Sequence, residues 1–213
     1  MPVSVALSQI LNLAPNLHSS YREAFQNGQN ILDQYKISET ALRVAHFMAQ
    51  ILHESGALTV RFENLNYSAE RLPEVWPSRF KPLGPLDPAD YARNPQKLAN
   101  EVYGGRMGNT GPNDGFTYRG RGLLQLTGKE SYRNATKTVR KTDPTAPDFV
   151  ISPDEVVNPK WCLAIAAAEW AEKGCNALAD RDDIAKITRA INGGLIGLSE
   201  RRQWAKRTKT VWK

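Results

Sequence analysis

Two carboxylates, Glu54 and Glu63, stand nine residues apart in the segment SETALRVAHFMAQILHESGALTVRFE, residues 38–63. Paired carboxylates across a cleft are the minimum equipment for glycoside hydrolysis, in which one acid protonates the leaving oxygen and a second carboxylate activates water. On one continuous helix, nine steps of about 100° would place the two on opposite faces. The chain must therefore turn between them. Gly56 supplies a helix stop, and the run Leu58, Thr59, Val60, Arg61, Phe62 favours an extended return that brings Glu63 round to face Glu54.

The element that positions Glu54 reads as a helix over about 39–55 with Ser38 as its N-cap. Leu42, Ala45, Ala49 and Leu52 keep the helical period, and Val44, Phe47, Met48 and Ile51 widen the stripe until most of the circumference is apolar. This is the pattern of a central buried helix. Glu54 falls in its last turn, where the negative end of the helix opposes a carboxylate charge by about 0.3–1 kcal/mol, an asset in a proton donor. His53-Glu54 resembles half of a zinc-binding helix motif, but position 57 is Ala instead of the second His. No metal or cofactor is expected.

The chain has 213 residues, 41% hydrophobic, enough for one domain with a real core. No apolar run reaches the length of a membrane span, and the N-terminus MPVSVALSQILNLAP has neither a basic leader nor an unbroken apolar stretch. Cys162 and Cys175 are too few for a disulfide framework and are expected to be reduced. The net charge of +6 is concentrated at the end: SERRQWAKRTKTVWK holds six Lys or Arg against one Glu. Such a tail suits an acidic polymer or an anionic surface. Nucleic acid is disfavoured, because no zinc-finger, basic-zipper or RNA-binding signature accompanies the charge.

Elsewhere the chain reads as helices joined by long loops. Tyr67 and Trp76 offer ring faces to sugars. Six of the thirteen prolines fall between Pro73 and Pro95, and seven of the fifteen glycines lie in YGGRMGNTGPNDGFTYRGRG. A loop-rich boundary between two lobes is expected near residues 73–122, with Tyr103 and Arg121 lining a substrate loop. Alternation in LLQLT points Gln125 and Thr127 the same way from an extended wall. Asn192 opens an Asn-Gly-Gly turn after a helix over about 184–191. There is no GxxxxGK[ST] and no strand-GxGxxG-helix unit for a nucleotide.

Taken together, AHFMAQILHESG, ENLNYSAERL, YGGRMGN, YRGRGLLQLTG and INGG resemble glycoside hydrolase family 19, the chitinase-like enzymes, and more closely its phage endolysin and lysozyme branch. The matching pieces run in order from about residue 40 to 200. The resemblance implies a mainly α, lysozyme-like two-lobed fold with a small β-hairpin or extended segments at the cleft, and inverting hydrolysis of β-1,4 bonds between N-acetylated amino sugars. It makes residues 1–213 a single catalytic domain without a separate binding module. Glu54 matches the general acid, Glu63 the general base and Thr127 the residue that holds the attacking water. Gln125 and Asn192 match substrate-binding positions, and Ala57 stands where the family often has a second glycine.

The expected function is that of an endolysin cutting between N-acetylmuramic acid and N-acetylglucosamine in bacterial peptidoglycan and so causing host lysis. A chitinase and a non-catalytic wall-binding protein are the alternatives. The expected partners are the peptidoglycan polysaccharide and, through the basic C-terminal helix, an anionic outer-membrane surface; the expected state is a monomer. An endolysin of this kind waits in the host cytoplasm for a membrane lesion before it reaches the wall.

Overall fold

The computed structural model describes residues 1–213. Twelve α-helices follow one another: α1 Leu7–Leu13, α2 Ser19–Gln26, α3 Gln29–Gln34, α4 Ala41–Glu54, α5 Arg71–Val75, α6 Pro95–Tyr103, α7 Asp114–Thr117, α8 Lys129–Val139, α9 Cys162–Glu172, α10 Cys175–Asp180, α11 Ile184–Asn192 and α12 Leu198–Val211. No β-hairpin forms at any point; single-residue bridges, one of them parallel between Phe80 and Leu86, are the only β structure. The fold is mainly α, as expected.

The chain divides into two compact units, Met1–Arg61 with Arg121–Gln125 and Arg133–Lys213, and Phe62–Gly120 with Leu126–Tyr132. In the first unit α4 is the central helix: Val44 through Leu52 are all buried, with Phe47 edge-on to Trp170 of α9 at 5.5 Å. Its N-cap is Thr40, whose hydroxyl accepts from Arg43 N. Ser38, the expected cap, instead donates to Asp33 Oδ1 at 2.5 Å. The last helix lies along α4, and Thr208 Oγ1 donates to Ala45 O at 2.8 Å. Cys162 and Cys175 are unpaired and buried, and burial pushes the Cys162 thiol up to about 12.

The second unit has its own small core of Leu65, Leu72, Phe80, Leu98, Ala99 and Val102, with Tyr67, Trp76 and Tyr103 packed against it. The proline-rich stretch lies wholly within this unit. Its glycine-rich stretch is not irregular throughout, because α7 forms inside it and packs so closely on α6 that a Cβ on Gly115 would sit 2.4 Å from Ala99 O. Asn109, 1% exposed, clamps the loop by donating to Tyr103 O and accepting from Lys129 N, each at 2.9 Å.

Candidate active site

The candidate residues divide between the two units: Glu54, Arg121, Gln125 and Asn192 in the first, Glu63, Tyr67, Tyr103 and Thr127 in the second.

Glu54 is the last residue of α4. The helix stops there because Ser55, fully buried, turns its hydroxyl back to Ile51 O at 2.5 Å while accepting from Leu58 N at 3.0 Å. Gly56, Ala57 and Leu58 then all take left-handed φ values of 54°, 56° and 63°. Only glycine adopts that conformation freely, so Ala57 and Leu58 hold strain of about 1–2 kcal/mol each, and the burial of Leu58 contributes to offsetting it. This corrects the expectation of an extended return beginning at Leu58. The β-favouring composition is overridden by a tight left-handed turn, and no strand forms between it and Glu63.

Around Glu54 the decisive side chain is Arg201 of α12, 2% exposed, whose guanidinium forks between Gln50 Oε1 and Glu54 Oε1. Both contacts are charge-assisted, which makes them stronger than neutral hydrogen bonds. His53 lies beside the same network, its imidazole held below the ordinary range by burial and then by the Arg201 charge. Gly197, the N-cap of α12, packs against His53 so tightly that a Cβ would come within 2.6 Å of Nε2. Half-buried Glu169 on α9 carries its own carboxyl above the usual range, chiefly through desolvation, with Lys173 opposing at 3.0 Å and the Glu54 charge adding to the rise.

Glu63 is held from two sides. Tyr103, at the end of α6, donates its hydroxyl to Oε1 at 2.5 Å, and Gly120 N donates to Oε2 at 3.2 Å. The backbone of Glu63 donates to Gly120 O at 2.9 Å, fixing the same strand of chain. Burial first, and then the Glu63 charge, push the Tyr103 hydroxyl far above its ordinary value, so it stays a donor. Tyr67 feels the same two influences more weakly and stacks edge-on with Trp76 at 5.2 Å.

The remaining expected residues fall differently. LLQLT is not an extended wall: residues 122–125 turn, Gln125 has φ 50°, and its amide donates to Gly122 O at 3.0 Å. The alternation of Leu and polar residues there reflects a buried turn instead of a pleat. Arg121 is 3% exposed and ion-paired with Asp154 at 3.0 Å, a supporting position and not an open substrate contact. Asn192 is exposed at the end of α11, and Thr127 is half-buried.

Sequence reasoning missed Arg201 altogether, placing it in a basic tail suited to an acidic polymer or an anionic surface. A signal was present. Arg201, Ala205, Thr208 and Trp212 are spaced four, three and four apart, one face of a helix, and all four are buried.

Two carboxylates, each fastened by dedicated donors within a mostly helical protein, are the side chains that acid–base hydrolysis of a glycosidic bond requires. No protein-family model matches the chain. It is, however, 39% identical over 163 residues to a glycosyl hydrolase family 19 domain-containing protein of Haemophilus influenzae, an alignment spanning 75% of each chain. The chain belongs to glycoside hydrolase family 19 and is a glycoside hydrolase with a polysaccharide substrate. Its fold is that of solved chitinases: chitinase C from Streptomyces griseus HUT6037 aligns over 98% of this chain and 92% of its own, with a TM-score of 0.59 and 17% identity. A bacterial family 19 chitinase aligns over 98% and 94%, with a TM-score of 0.62 and 17% identity.

Proposed function

We propose that this enzyme is an endolysin that hydrolyses the β-1,4 bond between N-acetylmuramic acid and N-acetylglucosamine in peptidoglycan, with inversion at the anomeric carbon. Glu54, in its protonated form, gives a proton to the glycosidic oxygen as the bond breaks, and the Arg201 guanidinium stabilises the carboxylate left behind. Glu63 takes a proton from a water on the other face of the ring, and Thr127 helps hold that water. Tyr67, Gln125 and Asn192 contact the sugars, and Arg121 supports the chain that carries Gln125. Tyr103, expected as a sugar contact, is assigned instead to Glu63, whose Oε1 it occupies. The observation that carries the reading is the separate fastening of the two carboxylates, Glu54 by Arg201 and Glu63 by Tyr103 and Gly120 N. An inverting mechanism asks for a carboxyl separation of about 6.5–9.5 Å, room for the attacking water.

No helix is long and apolar enough to cross a membrane. In this reading the enzyme, a monomer and one catalytic domain, remains in the host cytoplasm until the membrane is breached. Its basic last helix faces the anionic envelope.

The test is mass spectrometry of fragments released from purified Gram-negative wall, with reducing ends labelled and Glu54→Gln as control. New reducing ends from the wild type alone are expected. New free amines without reducing ends would mean cleavage of the peptide and would sink the carboxylate mechanism. A second reading, a chitinase, is favoured by the chitinases among its structural neighbours. Turnover of glycol chitin without release from bacterial wall would select it.

A further inference from the structure

Adjacent arginines on α12 serve different faces. Arg201 points inward to Glu54, and Arg202, about 100° further round the helix, is exposed. Arg202, Lys206 and Lys209 follow at spacings of four and three, forming one cationic stripe, with buried Ala205 between them. The stripe is concave: together with Asp182 and Ile184, at the start of α11, these residues line a cleft of about 350 Å³.

The only carboxylate in that cleft is already engaged. Asp182 accepts from His46 Nε2 at 2.6 Å and from Lys209 Nζ, and these donors hold its carboxyl below the usual range against the opposing effect of burial. The neighbouring Asp183 is likewise occupied, pairing with Lys186 at 3.0 Å and capping α11. Arg202 and Lys206 make no ion pair and no hydrogen bond. Two uncommitted cations four residues apart repel one another and destabilise a helix by a few tenths of a kcal/mol. Set in a concave, partly apolar wall, they form a pocket for a compact anion.

We propose that this cleft is a second, noncatalytic binding site that takes a phosphate group borne by the envelope polysaccharide, with Arg202 and Lys206 as its ligands and Ala205 and Ile184 as its floor. The proposal rests on the reading of the substrate as a bacterial wall polymer. It gives the basic tail a specific role: holding the enzyme on the polymer by a contact separate from the cutting site. Arg202 supplies a planar fork suited to phosphate oxygens, and Lys206 a mobile point charge.

The experiment uses the full chain, labelled with nitrogen-15 and titrated with N-acetylglucosamine 6-phosphate, with inorganic phosphate and with uncharged N-acetylglucosamine. Saturable shifts at the Ile184, Ala205 and Lys206 amides are expected with both phosphates and absent with the neutral sugar. Affinity should fall at least about tenfold in Arg202→Gln/Lys206→Gln. It should hold in Arg133→Gln/Lys137→Gln, which removes the same charge from exposed positions of α8. Turnover of a neutral oligosaccharide should be unchanged in the cleft variant, so a failure of the proposed catalytic reading, seen as activity in Glu54→Gln, stays separate. Non-saturating shifts spread over the basic surface, or equal weakening by both double variants, would overturn the site. Binding only to phosphatidylglycerol vesicles, with no response to soluble phosphate, would replace it with a lipid surface.

Discussion

The Tyr103 hydroxyl and Glu63 Oε1 are 2.5 Å apart, with Tyr103 donating. The contact joins the end of α6 to a carboxylate forty residues earlier in the chain. It leaves Oε2 to Gly120 N and fixes the plane of the carboxylate. A hydrogen bond to a charged group is worth about 1.5–3 kcal/mol. Tyr103→Phe should therefore lower kcat by about ten- to a hundredfold while leaving the ring packed on its small core. Unchanged kcat on a soluble oligosaccharide would remove Glu63, or its orientation, from the rate-limiting step.

Arg201 is the corresponding support for Glu54, and here the guanidinium is buried while the carboxylate keeps some exposure. Breaking a fully buried ion pair from one side leaves a charge without compensation and costs about 3–5 kcal/mol, an upper bound for a pair whose carboxylate reaches solvent. Arg201→Met should show that loss in urea denaturation, together with loss of turnover. Arg201→Lys should recover part of the stability but less of the activity, because an ammonium cannot fork between Gln50 and Glu54 as a guanidinium does. Equal stability of all three proteins would mean that the pair is not formed in solution.

These two supports also show what could be read from residue order. The central helix and its stop near Gly56 were legible, because apolar period and local composition decide them. The left-handed run at Ala57 and Leu58 was not: Leu58 has β-favouring neighbours, and only the burial of its side chain decides the backbone against them. Gln125 was misread for a related reason, since alternation over five residues does not separate a strand from a buried turn. Tyr103 was read as lining a substrate loop, whereas its hydroxyl is committed to Glu63, a contact set by tertiary placement. Arg201 was hidden by charge, as six cations in fifteen residues obscured a buried stripe at helical spacing.

All three histidines are held below their ordinary value of 6.5, each mainly by burial: His18 and His53 with an arginine adding to the effect, and His46 with Asp182 opposing it. Below about pH 6.5 the unfolded chain therefore takes up protons that the folded chain does not, and stability falls as pH falls. Asp114, Asp180 and Asp182, all depressed by their partners, extend the loss to lower pH. Raised Glu169 acts in the opposite sense, destabilising the fold as pH rises from about 4.5 through its folded value. The urea midpoint should accordingly be lower at pH 5.5 than at pH 7.5, and His53→Gln should narrow the difference. A midpoint equal or higher at pH 5.5 would contradict the burial of the histidines.

The last helix is basic, yet it is built into the core. Trp212 is 3% exposed and donates Nε1 to Gln9 Oε1 at 3.2 Å, Thr208 is bonded to α4, and Arg201 is fixed on Glu54. Trp204 is half-buried under Arg207, whose guanidinium lies 4.2 Å from its ring centre. Neither tryptophan is free to enter a membrane without leaving its place in the fold. Removing a buried aromatic side chain alone costs about 3–5 kcal/mol, a large share of a domain's stability. Deletion of residues 201–213 should therefore abolish cooperative unfolding and all activity together, as judged by near-ultraviolet circular dichroism and wall digestion. The exposed-charge variant Arg202→Gln/Lys206→Gln should melt within a few degrees of wild type. If the truncated chain instead folds and digests purified wall normally, α12 is an appendage and Arg201 has no part in holding Glu54. If it fails as expected, only charge substitution on the outer face can separate anion binding by α12 from its support of Glu54.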